Sequence, residues 1–306
     1  MSRWPPRPRL AAEFYKAHGL GNDYLVFEEG EDWIATPENV RRVCHRTMGV
    51  GSDGIVVLLG DDPGQASGIQ AGLRMFNPDG GEFERSGNGL RVLASYLPRA
   101  SPEVREVDVE VGGGRVRMRG HGVIDGVYDV SVEMGRASIG PGSVAMDPGA
   151  LDGDGCLLGP SGESLRVVPV SVGNPHVVVL CDEESDLSEE RLAEIGPYIA
   201  THPALEHGTN VQLALADGGV LRRAALWERG VGRTSAAGAA ACAVGVALVT
   251  SGLLSVGEVR VRMPGGVLGV KVTSELDVVL RGPVEEVMDG RISCALLQGE
   301  EGSLTS

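Results

Sequence analysis

The sequence predicts two similar α/β domains in tandem, each built around a repeated turn, glycine and helix unit. Three observations carry that reading. A chain of 306 residues, 42% hydrophobic and 23% charged, is long enough for two cores. Each half alternates short strand-like runs with two helix-like ones. Paired motifs also recur at nearly one spacing. Gly21-Asn22 and Gly173-Asn174 lie 152 residues apart, Ser86-Gly87 and Ala237-Gly238 lie 151 apart, and Phe76 to Gly80 precedes Leu226 to Gly230 by 150. A chain with 46 glycines produces short echoes freely, so the shared offset is what argues for duplication. Two domains of one plan leave a cleft between them, a usual place for a small-molecule site.

In chain order, residues 1–12 and 299–306 read as tails without apolar periodicity. A domain over residues 13–135 follows, with a return segment at 279–295; a second covers 136–278. Glu13 to Phe27 opens strand-like and passes through His18-Gly19-Leu20-Gly21-Asn22-Asp23. Pro37 to Thr47 reads as a helix with Thr36 as N-cap and Pro37 at its first position. Leu73 to Phe76 is strand-like, and Asn88 to Leu97 is a helix stopped by Pro98. Val104 to Val111, Gly114 to Arg119 and Val127 to Met134 alternate as strands. The Gly/Pro/Asp-rich stretch Gly140 to Gly162 is the expected inter-domain connection or exposed loop.

The second half repeats the plan. Strands at Val167 to Val170 and Val177 to Leu180 flank Gly173-Asn174-Pro175-His176, and Ser188 to Ile199 is helical with early acids. His207-Gly208-Thr209-Asn210 leads into Val211 to Leu215. Val220 to Trp227 is a strand, Gly238 to Ser251 a helix ended by Gly252, and Val259 to Met263 and Val267 to Val272 are strands around Pro264-Gly265-Gly266.

A net charge of −15 argues against nucleic acid or an anionic membrane as partner. The longest apolar run, Ala236 to Leu248, is too short to span a bilayer. Met1 to Leu10 has no apolar core for a signal peptide. Five widely spaced cysteines suggest neither a disulfide framework nor a zinc site, which fits a reducing cytoplasm. Only Lys16 and Lys271 are lysines, and neither has a phosphate-binding context, which argues against a pyridoxal-phosphate enzyme.

A helix N-terminus exposes unpaired N–H groups and the positive end of the helix dipole. Two of them, at Gly87-Asn88 and Gly238-Ala239, suit a carboxylate or an enolate-like carbanion. Asn22, Asn77, Asn88, Asn174 and Asn210 supply amides that donate and accept, as a zwitterionic amino acid requires. Glu228-Arg229 adds a charge pair whose guanidinium can bind a carboxylate. Each Asn/Gly pair alone also reads as an ordinary turn.

These motifs resemble diaminopimelate epimerases: His18 to Asp23, Gly51-Ser52-Asp53-Gly54, Phe76 to Gly80, Gly87-Asn88-Gly89-Leu90-Arg91, Gly173 to His176, Gly208 to Val211, Glu228 to Gly232 and Pro264 to Gly266. They run in the family's order over roughly residues 13 to 290. The resemblance implies two pseudo-symmetric domains, each a curved, mostly antiparallel sheet wrapped around a central helix. It implies a small amino-acid-like substrate and no cofactor or metal, and leaves a homodimer open. It also implies epimerisation by two cysteines on opposite faces of the substrate's α-carbon. Here those positions are Ser86 and Ala237; Ala239 replaces a small hydroxyl residue and Arg233 an acid. Serine is a far weaker acid than a thiol and needs a neighbouring base. Alanine transfers no proton. Cys242 lies five residues on, about 7.5 Å along a helix and turned to another face, so it reads as structural, as does Cys44.

The acid/base candidates are Ser86, His176 and Glu228, with Asp53 and His18 behind them. A carboxylate-based branch of the same fold isomerises without the cysteine pair. The expected activity is therefore one-base isomerisation, elimination or cyclisation. Ordinary diaminopimelate epimerisation and an inactive binding protein are the alternatives.

Overall fold

The computed structural model describes residues 7–60, 70–83, 85–100, 105–111, 114–215 and 221–297. They divide into two compact units, one running to Val132 and resuming at Pro283, the other Glu133–Gly282. Four helices matter here: α1 (Pro37–Cys44), α2 (Gly87–Ala100), α3 (Glu189–Ala200) and α4 (Gly238–Thr250).

In the first unit Glu13–Gly19 pairs antiparallel with Asn22–Glu28, which runs parallel to Ile55–Leu59. Gln70–Phe76 pairs antiparallel with Ile55–Leu59 and with Glu82–Phe83, and parallel with Glu106–Val111. Gly114–Ile124 and Val127–Arg136 continue antiparallel. Parallel neighbours need a crossover, and α1 and α2 lie in the two that occur.

The second unit repeats these pairings one for one. Ser164–Ser171, Pro175–Cys181, Asn210–Leu215 and Leu221–Glu228 pair antiparallel, parallel and antiparallel. Leu221–Glu228 then takes Gly232–Thr234 antiparallel and Gly257–Met263 parallel, before Gly266–Val272 and Asp277–Arg291 add two antiparallel pairs. Seven pairings in one order, occurring twice, are the structural form of the 150–152-residue repeat.

Each unit wraps its sheet around one helix. Helix α2 packs on Glu13–Gly19, Asn22–Glu28, Ile55–Leu59 and Gly114–Ile124; α4 packs on strands from Ser164–Ser171 to Gly266–Val272. Helix α4 is apolar on every side and buried from Ala240 through Leu248, as a central helix must be. Helices α1 and α3 cover the other faces. Leu192, Ile195 and Ile199 of α3 share a core with Val177, Val179, Val211, Leu213 and Leu215. Among the described residues, no helix is long and apolar enough to cross a membrane.

Several elements differ from expectation. Arg9–Leu10 pairs with Trp33–Ile34, and Leu10 is fully buried, so residues 9–12 are part of the fold rather than tail. Residues 1–6 and the expected tail at 299–306 lie outside the described residues. Helix α1 stops at Cys44 because His45 turns extended. Helix α2 runs through Pro98 to Ala100; a proline in the last turn forfeits only one intrahelical bond. Ile55–Leu59 is a fully buried strand that alternation cannot reveal, since both faces are apolar. The Gly140 to Gly162 stretch is not the connection between units. It lies inside the second, carries the short strand Cys156–Leu158, and buries Val144, Met146 and Leu157. Two continuous strands, Val127–Arg136 and Asp277–Arg291, make the passage instead.

Candidate functional site

In the first unit the site is organised around the start of α2. Ser86 is its N-cap: Oγ accepts the Gly89 N–H at 3.1 Å and its carbonyl accepts the Leu90 N–H at 2.9 Å. Among the described residues Ser86 Oγ has no other hydrogen bond. Ser86 thus has a structural role as a cap, and a catalytic role would need a neighbouring base to activate the hydroxyl.

Asn88, in the first turn, is 5% exposed. Its Nδ2 donates to Asn22 Oδ1 at 2.7 Å, and its Oδ1 accepts Arg91 Nη2 at 2.5 Å. Asn22 Nδ2 donates in turn to Asp53 Oδ2 at 2.8 Å. Both amides are held by protein partners, leaving each one N–H and one lone pair for a ligand. Asp53 is tied by Arg46, which also clasps Asp23 through both nitrogens at 2.9 and 2.7 Å. Lys16 completes the chain with an ion pair to Asp23 at 3.0 Å. Burial works to raise the Asp23 pKa, but Arg46 and Lys16 outweigh it and hold the carboxyl below its ordinary value. Asp53 thus orients Asn22, and its carboxylate is engaged with Arg46 and Asn22. His18 sits at the strand end, accepting the Gly21 N–H at 3.4 Å and facing Glu285 at 3.8 Å.

Arg91 is fully buried and also donates Nη1 to the Pro283 carbonyl at 2.9 Å. A Cβ on Gly19 would come within 2.6 Å of this guanidinium, so glycine is needed at that point for packing. Asn77 stands in an exposed turn, closed by Gly80 N–H to Asn77 O at 2.9 Å. Among the described residues its side chain makes no hydrogen bond, so its whole amide is available.

In the second unit α4 begins after Ala237, whose extended backbone (φ −142°, ψ 130°) is that of an N-cap without a cap bond. No side chain competes for the first-turn N–H groups of Gly238 and Ala239. The sheet beside α4 carries polar residues in register. His176 pairs with Asn210, and Asn210 lies one step beyond the Val211–Trp227 pair, alongside Glu228. In the next row Gln212 lies between Val178 and Leu226, with Thr234 beyond Leu226. Val177, Val179, Val211 and Leu213 point toward α3, so these two rows point the other way, toward α4.

His176 is 2% exposed, with Nδ1 at 3.2 Å from Gln212 Oε1 and Nε2 at 2.9 Å from Asn174 Oδ1. Burial pushes its pKa down to about 4, against the bond to Gln212 and with help from the Arg229 charge, so it is neutral near pH 7. Asn174 is exposed. Asn210 is engaged, donating to Pro175 O at 2.9 Å and accepting the Arg229 N–H at 3.0 Å. Arg229 is exposed and gives one bond, Nη1 to His207 O at 2.6 Å, leaving donors for an anion. Glu228 is half-buried at the strand end. Arg233, opposite Trp227, turns to the α3 side and pairs with Glu189.

Cys242 is fully buried in α4, and Cys44 is buried with its thiol pushed up to about 11 by desolvation. Neither is a substitute proton carrier. Among the described residues no group of His, Cys, Asp and Glu could hold a metal ion. Gln212, Arg46 and Lys16 are the site-shaping residues that sequence reasoning missed. They lie outside the glycine motifs, and only a polar residue within the apolar run Val211 to Leu215 signals the first.

The family model described as diaminopimelate epimerase matches residues 14–140 and 168–287. A diaminopimelate epimerase of Desulforudis audaxviator is 39% identical over 286 residues, covering 91% of this chain and 98% of that one. Diaminopimelate epimerase 2 of a Nostoc species is 33% identical over 285 residues, covering 92% and 95%. Among solved structures, a predicted epimerase from Pseudomonas aeruginosa superposes with a TM-score of 0.61 at 20% identity, covering 92% and 98%.

Proposed function

The chain belongs to the diaminopimelate epimerase family, and on that premise we propose that it is a cofactor-independent isomerase-type enzyme for an amino-acid-type substrate, working by one-base chemistry rather than two-thiol epimerisation. One observation carries the reading. At both equivalent helix starts, the position that would hold a thiol holds none: Ser86 caps its helix through the Gly89 N–H, and Ala237 has no polar side-chain atom.

The binding groups remain. First-turn N–H groups at Gly87-Asn88 and Gly238-Ala239, with Arg229, suit carboxylates. Asn77 and Asn174 offer exposed amides for the rest of an amino acid. Glu228 is the base in this reading: its carboxylate takes the α-proton, and helix-start N–H groups hold the resulting enolate. The carboxylic acid so formed returns the proton on the same face to a different atom of the conjugated system, shifting the double bond. One carboxylate serves one face of the carbon. That favours isomerisation, elimination or cyclisation over inversion.

The curated relatives' names favour a second reading, ordinary diaminopimelate epimerase; an inactive binding protein is the third. Incubation with LL- and meso-diaminopimelate in heavy water, followed by NMR at the α-proton, separates them. The one-base reading expects no interconversion, with any deuterium entry occurring without inversion. Rapid entry with interconversion refutes it. Binding without exchange supports the third reading. In the S86C/A237C double variant, interconversion should appear if the remaining pocket fits this substrate.

A further inference from the structure

His176 and Gln212 form a buried imidazole–amide pair that the assignments above do not explain. Gln212 is fully buried in a central strand, and its Nε2 has no hydrogen-bond partner among the described residues. A buried amide N–H without a partner is costly in desolvation, so its placement calls for a role. The imidazole presents a second puzzle. Both ring nitrogens face amide oxygens, Gln212 Oε1 and Asn174 Oδ1, yet a neutral ring has one N–H to give.

The two partners are not equal. Asn174 is exposed, so its amide can rotate to offer Nδ2–H to a bare ring nitrogen, or move aside altogether. Gln212 is fully buried in its strand, in register between Val178 and Leu226, and is the partner that cannot move aside. We propose that Gln212 is a positioning residue: its Oε1 holds the proton of His176 on Nδ1, and the Nε2 lone pair is thereby presented, behind the Asn174 amide, as a hydrogen-bond acceptor for an N–H group such as a ligand ammonium. Reversing the Gln212 amide would move the proton to Nε2 and turn this acceptor into a donor. Gln212 therefore sets the polarity of the half-site. The inference stands on this unit's own geometry and holds whichever reaction the protein performs.

The test needs no substrate. Protein labelled with 15N-histidine is examined by two-bond 1H–15N correlation, with His176 assigned by the loss of its signals in His176→Gln. The wild type should show a protonated Nδ1 and a bare Nε2. Gln212→Leu should lose the single tautomer and give averaged shifts. Gln212→Glu places a carboxylate on Nδ1 and should move the imidazole's titration midpoint from about 4 toward neutrality. Arg229 and Glu228 stay in every variant, and the first turn of α4 contributes no acid, so the change reports position 212. A wild-type ring protonated on Nε2, or a tautomer unchanged in folded Gln212→Leu, overturns the proposal. Should Gln212→Leu not fold, the wild-type tautomer and the Gln212→Glu midpoint decide.

Discussion

Capping the two central helices gives a pair of substitutions with opposite expected signs. Ser86 and Ala237 both precede a buried helix, but only Ser86 closes a first-turn N–H, that of Gly89. Ser86→Ala removes the 3.1 Å bond. Ala237→Ser adds a hydroxyl where the backbone already has cap geometry, φ −142° and ψ 130°, within reach of the Ala240 N–H. A serine-for-alanine cap is worth about 1 kcal/mol, within a range of roughly 0.5–2. Both positions are half-buried, so water replaces only part of a lost bond. Ser86→Ala should therefore lose, and Ala237→Ser gain, about 1 kcal/mol, near fivefold in the unfolding constant. In a chain of this size that is about 2 °C in Tm. Urea unfolding followed by circular dichroism, with slopes compared across variants, measures both. Opposite midpoint shifts at constant slope are expected. A neutral or negative effect of Ala237→Ser alongside a neutral Ser86→Ala would refute the cap assignment, and with it the argument that Ser86 is spoken for.

Three further outcomes follow from the described contacts. With Ellman's reagent on the native protein, exposed Cys294 and half-buried Cys156 should react first; Cys44, Cys181 and Cys242 are buried, with Cys44 and Cys181 pushed up to about 11 and about 12 by burial, and should wait for denaturant. Gly19→Ala should cost about 1–3 kcal/mol through its clash with Arg91, and the penalty should shrink in an Arg91→Ala background, as a double-mutant cycle in urea would measure. His176 has its folded pKa depressed to about 4 from 6.5, so its contribution is present above pH 6.5 and is lost as pH falls toward 4. That loss is about 3 kcal/mol at most, and denaturant midpoints should show His176→Gln lacking this part of the acid slope.

The repeat was legible because its spacing survives in glycines that the backbone requires, whereas Ser86 was read as a site residue and its cap bond to Gly89 came only from the structure. Helix α3 is marked locally by Ser188, whose Oγ accepts the Arg191 N–H. Ile55–Leu59 escaped because a strand buried on both faces has no period. The Gly140 to Gly162 stretch misled because turn residues report local conformation and cannot say that Val144, Met146 and Leu157 enter a core. At the site, the asparagines were visible as residue types, but their availability was not. That Asn22 and Asn210 are engaged by Asp53 and Pro175, and Asn88 by Asn22, depends on contacts that span 31, 35 and 66 residues. Gln212 carries no motif, and its meaning comes wholly from the strand beside it.

The return of the last long strand to the first unit has a consequence for synthesis. Residues 285–291 pair with Glu13–Gly19, so the first unit is closed by a segment translated after the whole of the second. The second unit, Glu133–Gly282, is contiguous and has all its strands earlier. The second unit can therefore complete its pairings before the first, against the usual N-terminal-first order. Glu13–Gly19 waits with one edge unpaired while about 270 residues are added, roughly 13–54 s at about 5–20 residues per second. A stop or cut just after Gly282 would keep every pairing of the second unit and strand the first without its closing neighbour.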